Sequence, residues 1–214
     1  MTELLQPLIY QFKVILRRIS PMIWRRLWVR SDNTLADLHY ILQIAFGWTD
    51  FHLHQFLIYG KQFGIYRDGG PTFDQAAQKV RLADFRLRLR ERFLYEYDFG
   101  DNWQHDITLE KILPVEPKRI YPICIGGKRS APPEDCGGAW QFIKMRQETP
   151  VQSFKLIEDI REAAKARDMA ALEDCVDVIQ ELQPWLSLER FDRRAVNRRL
   201  QQYTAGDERW REEP

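Results

Sequence analysis

Between Tyr10 and Ile19 apolar and polar residues alternate, so Tyr10, Phe12, Val14 and Leu16 fall on one side of a predicted strand. Ser20-Pro21 interrupts it. Residues 23–29 predict a second strand, with Trp24, Arg26 and Trp28 on one face and Ile23, Leu27 and Val29 on the other. The two are expected to pair as a hairpin. The period then lengthens: Leu35, Leu38, Ile41, Leu42 and Ala45 recur at helical spacing over Thr34–Phe46. Asp32, Asn33 and Thr34 offer capping oxygens before this helix, and Gly47 supplies its stop. His52–Tyr59 returns to a strand pattern, and the glycine-containing segment 60–81 reads as a loop with a short strand near Phe63–Tyr66.

A second hairpin is predicted from Arg92–Phe99 and Trp103–Leu109, which place Phe93, Tyr95 and Tyr97, then Trp103, His105, Ile107 and Leu109, on single faces. Gly100 with its Asp and Asn neighbours suits the turn between them. Residues 113–138 carry five prolines and four glycines and are expected to be irregular, a feature that usually accompanies function or disorder. Helices are predicted over Trp140–Glu148, Ser153–Lys165, Met169–Leu182 and Asp192–Tyr203. Their stripes, Phe154, Ile157 and Ile160, then Leu172, Val176, Ile179 and Leu182, read as core, with Cys175 as a small buried hydrophobe. The expected class is α+β: a mixed or antiparallel sheet with an N-terminal hairpin and one early helix, followed by a helical C-terminal part. One domain is expected over 5–203, with a motif-bearing part over 5–147, a helical part over 148–203 and a solvated tail over 204–214.

A chain of 214 residues can bury a sizeable core without disulfides or metals. Its 44% apolar and 29% charged residues are those of an ordinary globular protein. The net charge of +1 gives no global pull toward nucleic acid or anionic membrane, so such binding needs a local patch. No stretch approaches the roughly 18 apolar residues of a membrane span, so no membrane partner is expected. The opening Met-Thr-Glu-Leu-Leu-Gln-Pro lacks the basic and apolar runs of a secretory leader. Cys124, Cys136 and Cys175 are too few, and odd in number, for a secreted disulfide framework. The expected location is the cytoplasm.

Three constellations carry candidate chemistry. His52 and His54, two apart on a strand, present both imidazoles to one face. With Asp101 and His105 they form an expected set of divalent-metal ligands, which Asp98 could complete and to which Cys124 and Cys136 could add thiolates. The acidic run Glu96, Asp98, Asp101, Asp106 and Glu110 contains no Lys or Arg, and Asp98, Asp101, Glu134 and Asp135 are the catalytic candidates. The simpler reading of Asp98 and Asp101 is turn formation around Gly100. Residues 13–30 hold six basic groups and no acid. There Trp24, Arg25, Arg26 and Trp28, joined by Lys128 and Arg129, are the nucleic-acid candidates, since aromatic and Arg groups on a sheet stack bases and neutralise phosphates. Arg stems covering a solvated strand face are the plainer alternative. Gly126-Gly127 and Gly137-Gly138 fit no phosphate-loop pattern; the second pair reads as the start of a helix.

Three ordered blocks extend this picture. They are Ile19-Ser20-Pro21-Met22-Ile23-Trp24-Arg25-Arg26 with Leu35-Ala36-Asp37-Leu38-His39 and Gly47-Trp48; His52-Leu53-His54-Gln55-Phe56; and Tyr97-Asp98-Phe99-Gly100-Asp101-Asn102-Trp103-Gln104-His105 with Pro132-Pro133-Glu134-Asp135-Cys136-Gly137-Gly138. Over residues 8–142 the chain resembles the plasmid pRiA4b ORF-3-like family. The resemblance implies an α+β domain found on plasmids, mobile elements and prokaryotic chromosomes, and supplies no established activity. Segment 143–190 departs from the family pattern, and only Phe191-Asp192 matches its later motif.

Three functions are compatible with these residues: a non-enzymatic binding module tied to mobile-element or DNA-related biology, with nucleic acid as partner; a metal- or carboxylate-dependent enzyme with its site at the His52/His54 strand and the Asp98–His105 hairpin; and a domain that docks a protein partner. The enzyme reading requires the His52/His54 strand and the Glu134-Asp135 loop to fold against the Asp98–Trp103 turn.

Overall fold

The computed structural model describes residues 6–211. β1 (Leu8–Leu16) and β2 (Trp24–Arg30) form the expected antiparallel hairpin, with Phe12 opposite Leu27 and Val14 opposite Arg25. α1 (Leu35–Phe46) opens on a capping box: the Thr34 hydroxyl oxygen accepts from the Asp37 N–H, and the Asp37 carboxylate accepts from the Thr34 N–H. Gly47, in the left-handed region at φ 79°, ends it. β3 (His54–Ile58), β4 (Lys61–Gly64), β5 (Gln75–Ala76), β6 (Arg92–Tyr97), β7 (Trp103–Pro114) and β8 (Ile123–Lys128) complete one eight-stranded sheet in the order β5-β4-β3-β6-β7-β1-β2-β8. Among the described residues only β4 and β5 pair in parallel, so the sheet is mixed and the class is α+β.

β8 corrects the expectation that 113–138 is irregular throughout. It pairs with β2 from Trp24↔Lys128 to Trp28↔Ile123. Gly126-Gly127 removes the side chains that an alternation argument needs. Gly127 is required for packing, because a Cβ there would lie 2.4 Å from the Phe191 ring.

The sheet has two unlike faces. Tyr10, Phe12, Val14, Leu27, Val29, Phe56, Phe93, Tyr95, Tyr97, Trp103, Ile107 and Leu109 point inward and bury against α1 residues such as Leu38, Ile41, Leu42 and Ala45. Burial of each large apolar side chain contributes about 1.5–3 kcal/mol. The outer face carries Lys13, Trp24, Arg26, Trp28, Gln104, Asp106, Thr108 and Glu110, all half-buried.

α2 (Gly138–Ala166) and α3 (Met169–Leu186) pack on each other, and α4 (Arg193–Thr204) lies on β8 and α1. The two helices expected over 140–165 are one. Pro150 sits inside it, flanked by the Thr149 and Ser153 hydroxyls, which donate to carbonyls one turn back. The expected apolar stripes are largely exposed: Phe154 at 71%, Ile157 at 62% and Val176 at 50%, while Cys175 and Leu182 are buried in the α2–α3 seam. The segment after Thr204 is largely exposed as far as Arg211, but it is anchored at one residue. Trp210 is buried edge-on to Tyr40 and Tyr203, and residues 212–214 lie outside the described residues.

Candidate functional site

Three segments meet at one end of the β3-β6-β7 strands: Trp48–Leu53 after α1, the β6–β7 turn at Asp98–Asn102, and Pro132–Gly138. The β6–β7 turn is built by Asp98, whose Oδ1 accepts from the Gly100 and Asp101 N–H groups, while its backbone N–H donates to Leu53 O. Asp98 and Asn102 both take φ 55°, which Asp and Asn tolerate better than most residues. Turn formation therefore occupies one carboxylate oxygen of Asp98 and leaves Oδ2 facing His52 at 3.8 Å.

The Pro132–Gly138 loop is held against this turn from both sides. Trp48 Nε1–H donates to Pro132 O, and the Thr49 N–H and hydroxyl donate to Glu134 Oε2 at 3.0 and 2.6 Å. Tyr97 donates its hydroxyl to Glu134 Oε1 and accepts from the Phe51 and His52 N–H groups. Burial and the neighbouring Glu134 carboxylate push the Tyr97 phenol upward, so it remains a donor. Gly137 N–H donates to Asp101 Oδ2, and a Cβ on Gly138 would stand 2.7 Å from Asp101 O. Asp135 consequently reaches His52: its Oδ1 lies 3.1 Å from Nε2. That His52 nitrogen is shielded from solvent yet makes no aligned hydrogen bond among the described residues. His52 Nε2, Asp98 and Asp135 offer ligand atoms within 4.8 Å of one another.

A second cluster of donor atoms, His39, Asp50 and His54, lies behind this rim and is deeper. His39 Nδ1 meets the Tyr95 hydroxyl at 2.8 Å, and its Nε2 meets Asp50 Oδ1 at 2.8 Å. Burial depresses both imidazoles, so they stay neutral. Burial alone would raise the Asp50 carboxyl; the hydrogen bond from His39 and the charges around it, Arg67 among them, outweigh that and hold it low. The His39 and His54 rings stack at 3.5 Å and 10° from parallel. Their in-plane lone pairs cannot meet at one ion about 2 Å from each nitrogen. Arg67 and Arg211 already neutralise Asp50. This cluster is a polar core rather than a metal centre.

The expected metal set His52, His54, Asp101 and His105 does not converge. Of these four, only His52 offers a ligand atom to the rim cluster with Asp98 and Asp135. His54 is spent in the stack, and His105 is enclosed by Phe46, Trp48 and Tyr95, where burial lowers it to about 3. Asp101 holds Gly137. Cys124 lies in the core and burial pushes it up; Cys136, raised to about 12 by burial and then by Asp101, also remains a thiol. Of the catalytic candidates, Asp98 and Asp135 share the rim with His52, and Glu134 braces it. Asp50 and His39 were not among the sequence candidates; a histidine at a core-facing helical position, i and i+3 from Ala36 and Leu42, is the signal available for His39.

The nucleic-acid candidates separate as well. Arg25 is 2% exposed, on the inner face with Leu27 and Val29, so the alternation assigns it to the core side and not to the Trp24/Trp28 face. Arg26 is bidentate to Glu110, and Arg17 and Arg92 lie beside Asp106, so the acids of β7 offset the bases of β2, β6 and the turn after β1. Arg129 pairs with Glu189. Trp24 and Trp28 stay half-buried on the open face, with Arg26 over the first and Arg119 over the second, and Lys128 is exposed.

Comparisons with known proteins agree with this architecture. The family model described as plasmid pRiA4b ORF-3-like protein matches residues 8–199. An uncharacterized protein, y4hQ, of Sinorhizobium fredii (strain NBRC 101917 / NGR234) is 33% identical over 135 residues, covering 63% of this chain and 69% of the relative. The crystal structure of MM3350, a protein of unknown function from Methanosarcina mazei Go1, is 34% identical, with a TM-score of 0.64, over 88% of this chain and 96% of that one. No helix among the described residues is long and apolar enough to cross a membrane.

Proposed function

The chain belongs to the plasmid pRiA4b ORF-3-like family, and we propose that its site is a divalent-cation centre formed by His52 Nε2, Asp98 Oδ2 and Asp135 Oδ1. The observation that carries the reading is the His52 nitrogen, withdrawn from solvent, without an aligned hydrogen bond, and lying 3.1 and 3.8 Å from two carboxylate oxygens. Such separations suit three ligands on one face of an ion with bonds of about 2.0–2.2 Å. One nitrogen and two oxygens suit a borderline or hard divalent ion. Three protein ligands leave positions for water or a ligand, which is the pattern of working rather than closed structural sites. All three blocks of the family resemblance send residues to this rim or to its bracing. The nucleic-acid reading has less support, since Arg25 is buried and Arg26 and Arg129 are ion-paired.

The test is metal analysis and calorimetric titration of zinc and manganese into the protein and its His52→Ala and Asp135→Asn variants. The wild type should take up about one equivalent, and each variant should lose at least about ten-fold in affinity. Equal, negligible uptake by all three would remove the reading.

A further inference from the structure

Arg25 is a buried cation without a counter-charge among the described residues. Its Nε donates to Ala45 O at 2.7 Å, and its Nη1 donates to Trp24 O and Lys128 O at 2.9 and 3.2 Å. The Phe191 and Phe46 rings lie 3.9 and 4.9 Å from the guanidinium carbon. No carboxylate among the described residues pairs with it, and Nη2 makes none of these bonds. Burial lowers the group to about 10, so it keeps its charge at neutral pH. Buried charges are ordinarily paired, because leaving water is expensive. The carbonyl end of α1, where Ala45 lies, supplies only about half a negative charge.

Arg25 also lines a cleft of about 700 Å³. The cleft lies between the last turn of α1, residues 130–134, the end of α3 and the first two turns of α4. That volume falls in the ordinary range of small-molecule sites. Phe46, Ala131, Pro132, Phe191 and Val196 give it apolar walls, and Gln180 and Gln183 place amides along it. Glu134, Asp192 and Arg199 also line it; the Arg199 guanidinium donates to Trp210 O, and the two acids disfavour a second negative charge.

We propose that this cleft binds a small organic monocarboxylate, with its charge on Arg25 and its apolar body between Phe191 and the proline-containing wall. The Trp-Arg-Arg block, the Pro-Pro-Glu-Asp block and Phe191 then serve one ligand. They meet here although they are far apart in the chain. The proposal does not use the cation, and it is tested in the presence of EDTA.

Sodium hexanoate and its neutral counterpart hexanamide are titrated separately into the full chain and followed by calorimetry and by thermal melting. Hexanoate should bind at least about ten-fold tighter than hexanamide, the scale of one charge-assisted hydrogen bond. Arg25→Gln should erase that preference. Because this variant also loses internal bonds, Val196→Trp provides an independent arm. It fills the cleft without touching Arg25's hydrogen bonds and should abolish hexanoate binding while the chain stays folded. Equal affinity for the two probes, no saturable binding of hexanoate, or unchanged binding by Val196→Trp overturns the proposal.

Discussion

The Tyr97 hydroxyl donates to the Glu134 carboxylate while accepting the N–H groups of Phe51 and His52. A single phenol thus joins the strand before the β6–β7 turn, the segment after α1 and the Pro-Pro-Glu-Asp loop. Tyr97→Phe keeps the ring and its stacking on Trp48 but takes the partner from Glu134 Oε1 and from two N–H groups. The expected loss is about 1–3 kcal/mol of stability, read by urea unfolding. Zinc affinity should fall with it, although none of the three proposed ligands has been changed. Wild-type affinity in a folded Tyr97→Phe protein would show that the brace is irrelevant to the site.

Gly138 is the tightest point of that loop. It takes φ 74°, and a Cβ would meet Asp101 O at 2.7 Å. Gly138→Ala therefore combines a left-handed backbone cost of about 1–2 kcal/mol with displacement of the β6–β7 turn. A lower melting temperature together with weakened zinc binding is the expected pair of results. Gly206→Ala, also at positive φ but with open space around it, should show the smaller thermal effect and no change in zinc binding.

His105 sets an acid limit on stability. Its folded value, about 3, lies below the unfolded value of about 6.5, with burial as the main cause. Between those values the unfolded chain binds a proton that the folded chain refuses. Its contribution is therefore fully present above about pH 6.5 and is lost as the pH falls toward 3. His39 and His54 are shifted in the same direction, so the wild type should lose more than one proton's worth. His105→Leu should reduce the slope of unfolding free energy by about 1.4 kcal/mol per pH unit in that window. An unchanged slope would mean that His105 is protonated inside the fold.

On the open face, Asp106 and Glu110 hold the guanidiniums of Arg17, Arg26 and Arg92. Wild-type protein is expected not to retard single-stranded DNA in a low-salt gel. The double variant Asp106→Asn, Glu110→Gln releases those cations beside Trp24 and Trp28 and should retard it, with affinity falling steeply as salt rises. Strong retardation by the wild type would restore the nucleic-acid reading.

Much of the frame was legible in the sequence because it depends on local period. The alternation of β1, β2, β6 and β7, the capped helix ending at Gly47, and the turn at Gly100 each follow from a few adjacent residues. The same alternation places Arg25 on the inner face beside Leu27 and Val29. Composition drew it to the surface, because arginine is rarely buried. β8 was hidden by its glycines, and the continuity of α2 was hidden by Pro150. The sequence also supplied His52, Asp98 and Asp135 as chemistry-bearing residues. It could not say that His54 turns away into a stack with His39, that His105 is enclosed by aromatic rings, or that Asp98 divides its two oxygens between a turn and the site. Those outcomes depend on which strands become neighbours and on contacts between residues tens of positions apart. A period along the chain determines which way a side chain faces; only the packing of distant segments decides what it meets there.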